Sequence, residues 1–150
     1  MSNITSRMVE ERLRRFLLIL AGFICVGTIV ELWFTNHVES FVQLIPFILS
    51  VLGIIVVGLA LARPTKGTLQ LLRGVMGITI LGSIFGIYEH IEHNLAFELD
   101  IRPNASVADV FLDALGGASP MLAAGILAIA GIVAIAATYY HPLLVNRTDT

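Results

Sequence analysis

At 150 residues the chain is one domain by length, and 57% of it is hydrophobic, with a mean hydropathy of +0.89. Those values lie outside the soluble globular range and point to a membrane protein. With 13% charged residues and a net charge of -2, nothing in the balance calls for a nucleic-acid partner, and the single Cys25 excludes an intramolecular disulfide.

Each membrane-crossing helix needs about 20 mostly apolar residues, and four segments meet that requirement. The first is expected at about 15–34. Arg12, Arg14 and Arg15 before an apolar run resemble the start of a signal peptide. However, no A-x-A site follows, the run continues into Glu31-Leu32-Trp33-Phe34, and Ile24 precedes Cys25 where a lipoprotein site would take a small residue. A retained first helix is therefore expected. The second span, about 41–62, follows Ser40 as N-cap, carries Pro46 in its early turns and ends at Arg63-Pro64. The third covers about 69–93, and the fourth about 120–140, stopped by His141-Pro142.

Between the third and fourth spans, Ser106 and Asp109 have capping-box spacing. Val107, Val110, Phe111 and Ala114 recur at helical spacing, and Gly116-Gly117 ends the pattern. A short helix at about 106–115 is expected, lying on the outer interface. The expected fold is thus an all-α membrane protein of one domain. It is a four-transmembrane-helix up-down bundle with a short interfacial helix between the third and fourth helices.

Cytoplasmic connections retain Lys and Arg, so the basic residues orient the bundle. Arg7, Arg12, Arg14, Arg15, Arg63, Lys66, Arg73 and Arg147 fall on one face, leaving Arg102 alone on the other. Both termini are expected in the cytoplasm, with the chain multi-pass in a bacterial inner (plasma) membrane. The opposite end is acidic and histidine-bearing, holding Glu31, Glu39, Glu89, Glu92, His37, His90 and His93.

The densest polar stretch is Tyr88-Glu89-His90-Ile91-Glu92-His93-Asn94, directly after the uncharged run 74–87. Ionisable groups at a membrane boundary cost free energy unless paired, hydrated or liganded. Projected at about 100° per residue, Thr79, Gly82, Ser83, Gly86, Glu89, His90, His93 and Asn94 share one face, while Tyr88 and Glu92 point away. Thr28 and Glu31 on the first helix, and Glu39 and Gln43 on the second, form matching stripes.

Glu31, Glu89, His90 and His93 form the expected site, supported by Glu39, Gln43, Thr28, Ser83 and Asn94. Carboxylates gathered without an embedded Lys or Arg require protonation, a charged histidine or a cation. Mixed His/Glu ligation suits a divalent metal, Zn, Fe or Mn, and Cu less well. Glu89 is followed three residues on by Glu92, so the Glu-x-x-His pairs of di-iron bundles are absent, and His37, the nearest facing histidine for a haem, belongs to a connection.

The leading functional expectation is binding of a metal ion or cation near the outer face, as an accessory subunit of a larger membrane system. The alternatives are a structural or interaction protein whose polar stripe only specifies helix packing, and translocation of protons, cations or a small ligand by an oligomer. No phosphate loop or serine elbow points to a reaction. The partners expected are the lipid bilayer and a homo-oligomer or larger membrane complex.

The heptad 88–94, the following Phe97-Glu98, and Gly116-Gly117-Ala118-Ser119-Pro120 before an alanine-rich helix resemble a pattern in small uncharacterised four-span bacterial integral membrane proteins. The resemblance spans about 86–142 and implies a bacterial inner membrane. It assigns no role to any residue.

Overall fold

The computed structural model describes residues 2–38, 40–117 and 122–145, all of them helix or connection. Five helices follow one another: α1 (Ser2–Phe34), α2 (Phe41–Ala62), α3 (Lys66–Ile101), α4 (Val107–Leu115) and α5 (Leu122–Ala137). Local chemistry explains where each begins. Ser40 caps α2, its Oγ accepting from the Gln43 N–H at 3.4 Å while the Gln43 side-chain oxygen accepts from the Ser40 N–H at 3.2 Å. Thr65 and Thr68 form the equivalent box on α3, with both reciprocal bonds present. At the start of α4 the Asp109 carboxylate accepts from the Ser106 N–H at 2.9 Å and its hydroxyl at 2.7 Å.

Two helices depart from the sequence expectation. The third helix was expected to end near residue 93, yet it continues to Ile101. No Gly or Pro interrupts residues 87–102, so nothing stops the backbone ladder until Pro103, and the eight added residues extend it by about 12 Å. The fourth expected span, 120–140, is shorter as a helix. Its 16 residues reach about 24 Å, against a hydrocarbon core of about 30 Å, and part of the segment lies outside the described residues. By length and apolarity, three helices qualify as membrane spans: Thr5–Phe34, Phe41–Ala62 and Lys66–Ile101.

α1 packs against α2 and α5, and α3 packs against the same two, while α2 and α5 barely touch. The four long helices therefore form a ring, with Cys25, Val57, Leu72, Met76, Ala130 and Ala134 in its core. Arg14 on α1 donates to the carbonyls of Ala137 at 3.3 Å, Tyr139 at 2.9 Å and Tyr140 at 3.2 Å, neutralising the last carbonyls of α5. The start of α1 thus adjoins the end of α5, which makes these helices antiparallel and brings both ends of the ring to one side.

α3 and α5 approach closely at Gly131, where a Cβ would stand 2.6 Å from Ile80 Cγ1 and 2.9 Å from the Met76 carbonyl oxygen. No more than 33% of the most apolar window of any of the three long spans is buried. Phe23, Ile78, Leu81 and Ile132 all face outward, an apolar belt far larger than a water-soluble surface carries and one suited to lipid.

α4 docks on the extension of α3. Val110 and Ala114 are buried, and Asn94 Nδ2 donates to the Ala114 carbonyl at 2.9 Å. The guanidinium of Arg102 joins the two elements by pairing with Glu98 on α3 and, at 2.6 Å, with Asp113 on α4.

Candidate functional site

The end of the ring away from Arg14 contains a cavity of about 700 Å³. Its construction begins where α1 stops. Asn36 adopts φ 50°, the left-handed conformation that Asn tolerates better than most residues. The His37 N–H then donates to the Leu32 carbonyl at 3.0 Å, and the Asn36 N–H to the Trp33 carbonyl at 3.2 Å. This pair of bonds is a Schellman closure. It turns the chain back over its own helix end, so that His37 meets α3: the His37 and His90 ring centroids lie 6.0 Å apart, inclined at 35°.

Glu31 of α1 and Thr35 just beyond its end line the cavity, as do His37, Gln43 of α2, and Glu89, His90 and His93 of α3. Glu31, Glu89 and His90 are half-buried and His93 is exposed. Leu32, Leu49 and Leu127 form apolar wall and are themselves buried. Among the described residues lining this space there is no Lys or Arg. Gly82, Ser83 and Gly86 of α3 line it one and two turns below Glu89 and His90, and Ala124 of α5 lines it as well.

The expected metal set shares this cavity without converging. Among the described residues, no three His, Cys, Asp or Glu side chains come close enough to hold a metal ion. The four side chains come from two helices across a wide space, whereas a tetrahedral site needs donors about 2 Å from one point. The expected ligands thus line one ionisable cavity and are not gathered around a single point.

The supporting residues divide. Thr28 and Ser83 line the cavity, but their hydroxyls donate within their own helices, to Ile24 at 3.0 Å and Thr79 at 2.8 Å, as membrane-helix hydroxyls commonly do. Gln43 both lines the space and caps α2. Asn94 belongs elsewhere, because its side chain holds α4 and does not reach the cavity lining. Glu39 lies outside the described residues. Tyr88 and Glu92 are exposed and absent from the lining.

His37 is the residue that projection along helices could not place, since it sits in a connection. The signal was available: Asn36 is a residue type favoured at the left-handed position after a helix, and that closure dictates the reversal. Desolvation holds the His37 imidazole below its ordinary value of 6.5, favouring the neutral ring. At the other end, His141 Nδ1 accepts from the Leu143 N–H at 3.2 Å, and its pKa is lowered by burial and by Arg14. It has no part in the cavity.

Set against protein-family models, curated proteins and solved structures, the chain matches none of them. The chemistry of the site must therefore be read from its own residues. Two carboxylates and three imidazoles stand around one space, with apolar residues beneath them. The cavity lies in the volume range of ligand sites, several hundred Å³, rather than that of a single ion.

Proposed function

We propose that the chain is a four-span inner-membrane protein that binds a cation in the Glu/His cavity, with both termini cytoplasmic and the cavity at the outer end. The observation that carries the reading is the gathering of Glu31 and Glu89 around one space whose described lining contains no Lys or Arg. In a partly desolvated setting those carboxylates need a counter-charge, and a bound cation supplies one. A metal ion is one such cation. It would bind with retained water or after the side chains close in, since the donors stand apart.

The four-span topology is supported by the antiparallel Arg14 contact between α1 and α5 and by the segregation of basic residues. Trp33, Phe34 and Tyr88 at one end, with Tyr139 and Tyr140 at the other, are all exposed in the manner of interfacial aromatics. In this reading α4 lies on the outer interface, with Phe111 and Leu112 turned to lipid. The packing role is favoured lower on the same stripe: Thr79 donates to the Val75 carbonyl at 3.0 Å, and Gly131 admits the backbone of α3. The polar stripe thus has two functions, close packing below and cation binding above.

The test is a thermal-unfolding titration of the purified full chain with Zn²⁺, Mn²⁺, Na⁺ and tetramethylammonium. A ligand at about 100 times its Kd raises stability by about 2.7 kcal/mol, and Glu31→Gln or Glu89→Gln should remove most of that gain. Unfolding midpoints that ignore all four cations would sink the proposal. A reporter fused after Thr150, active only in the cytoplasm, checks the topology independently.

A further inference from the structure

The cavity has two chemical zones, and their arrangement says more than the presence of acid groups. One zone holds Glu31, Glu89 and His90 beside His37. The other is built from Val42, Ile45, Pro46 and Phe85, none of which is buried, and is backed by the buried side chains of Leu32, Leu49 and Leu127. A small inorganic ion would use only the first zone. A water molecule takes about 30 Å³ of liquid, so a cavity of about 700 Å³ has room for roughly 20 waters, and a lone ion would leave the apolar wall hydrated at a cost.

Small residues border the volume. Gly82 admits the Leu49 side chain, whose Cδ1 lies 2.6 Å from where a Cβ would stand, while Gly86 faces the small Ala124 of the adjacent α5, a Cβ on Gly86 standing 3.5 Å from the Ala124 Cβ. Small residues elsewhere in this bundle bring helices together, as at Gly131. At Gly86 the fit is looser, and a larger side chain there would compete with an occupant of the cavity it lines.

Resting on the cation reading above, we propose that the occupant is a hydrophobic organic cation: a quaternary or protonated centre held between Glu31 and Glu89, carried on an apolar body of roughly 300–500 Å³ that fills the space beneath. Transferring the body to the apolar wall provides the driving force, and the carboxylates select its sign of charge. Phe85 adds an aromatic surface to the lining, of the kind that accommodates an alkyl- or arylammonium.

The decisive probe is a pair of ions of the same shape and opposite charge, tetraphenylphosphonium and tetraphenylborate, applied to the full chain in detergent by equilibrium dialysis and thermal unfolding. Tetraphenylphosphonium should bind saturably, one per chain, and raise the unfolding midpoint. Tetraphenylborate should bind at least about 100-fold more weakly, since sign of charge is what the site reads. Glu31→Gln and Glu89→Gln should each weaken the phosphonium about tenfold. Gly86→Leu, verified by unchanged helical content and a monodisperse elution profile, should abolish its binding by filling the cavity.

Equal uptake of the two ions, or phosphonium binding that survives Gly86→Leu, overturns the proposal by revealing simple apolar partitioning. If tetraphenylphosphonium fails to bind while Zn²⁺ or tetramethylammonium still stabilises the protein through Glu31 and Glu89, the organic-cation inference falls and the cation reading stands. If no cation of any size stabilises the protein, both fall.

Discussion

The two ends of the helical ring are made from the same small and apolar residues and behave oppositely. At the end holding Arg14, Leu72, Met76, Ala130 and Ala134 are fully buried, and Gly131 lets α5 press against the α3 backbone. At the other end, Gly82, Gly86 and Ala124 line the cavity, yet the Leu49 side chain lies where a Gly82 Cβ would stand and a Gly86 Cβ would meet Ala124 only at 3.5 Å. A missing side chain produces contact when the facing helix can close the gap. It produces a looser seam where the facing residue is small and stands at ordinary contact distance, as Ala124 does opposite Gly86. Glycine on a membrane helix is therefore not a packing signal by itself; what stands opposite decides its role.

The largest expected effect breaks the contrast directly. Gly131→Leu would bring a Cβ to within 2.9 Å of the Met76 carbonyl, forcing α3 and α5 apart, and should cost about 3 kcal/mol in thermal or denaturant unfolding. Gly86→Ala, whose Cβ meets only an ordinary contact, should instead be neutral or stabilising by up to about 1 kcal/mol through helix propensity. Equal losses in the two variants would erase the distinction between the ends.

Next in size, Asn94→Ala leaves the buried Ala114 carbonyl without its side-chain donor and should cost about 1–2 kcal/mol, seen as faster proteolysis in the connection between α3 and α4. Ligand binding in the cavity should be unaffected, which would separate the docking role of Asn94 from the site. Arg14→Gln removes a charge shared among three carbonyls of the α5 terminus and should lower stability by about 1 kcal/mol, since two of those bonds are solvent-exposed.

The smallest effect is acid sensitivity. His37 is held below 6.5 in the folded protein, so as pH falls past that value the unfolded chain takes up its proton first. The His37 contribution to stability is present above pH 6.5 and is lost as pH falls from there through the lower folded value. The unfolding midpoint should therefore decline between about pH 7 and 5, and His37→Gln should flatten the decline. A profile that stays unchanged in His37→Gln would assign the acid sensitivity to other groups.

Much of the fold was legible from one-dimensional patterns. Ser40 and Arg63-Pro64 bracket α2 as expected, because capping and the loss of the proline N–H are local effects. The division of the heptad 88–94 could be projected in the same way, since helix periodicity determines which neighbours share a face. The end of α3 was misjudged because the apolar run stops well before the helix does: solvation ends a hydrophobic stretch, whereas only a breaker ends the hydrogen-bond ladder. Asn94 was assigned to the site because it lies on the same stripe, and its partner on α4, twenty residues away, has no signature in local spacing.

The sequence by itself determined the membrane-like composition, three of the long apolar helices and the segregation of charge, because these depend on composition and on interactions within a few residues. Only the tertiary structure decided that Glu31 and Glu89 border one space, that His37 turns back to meet His90, and that four candidate ligands surround a cavity instead of converging on an ion. Those are distances between separate helices. They depend on how side chains of different sizes fill the gap between them, and periodicity along a single helix carries no information about that gap.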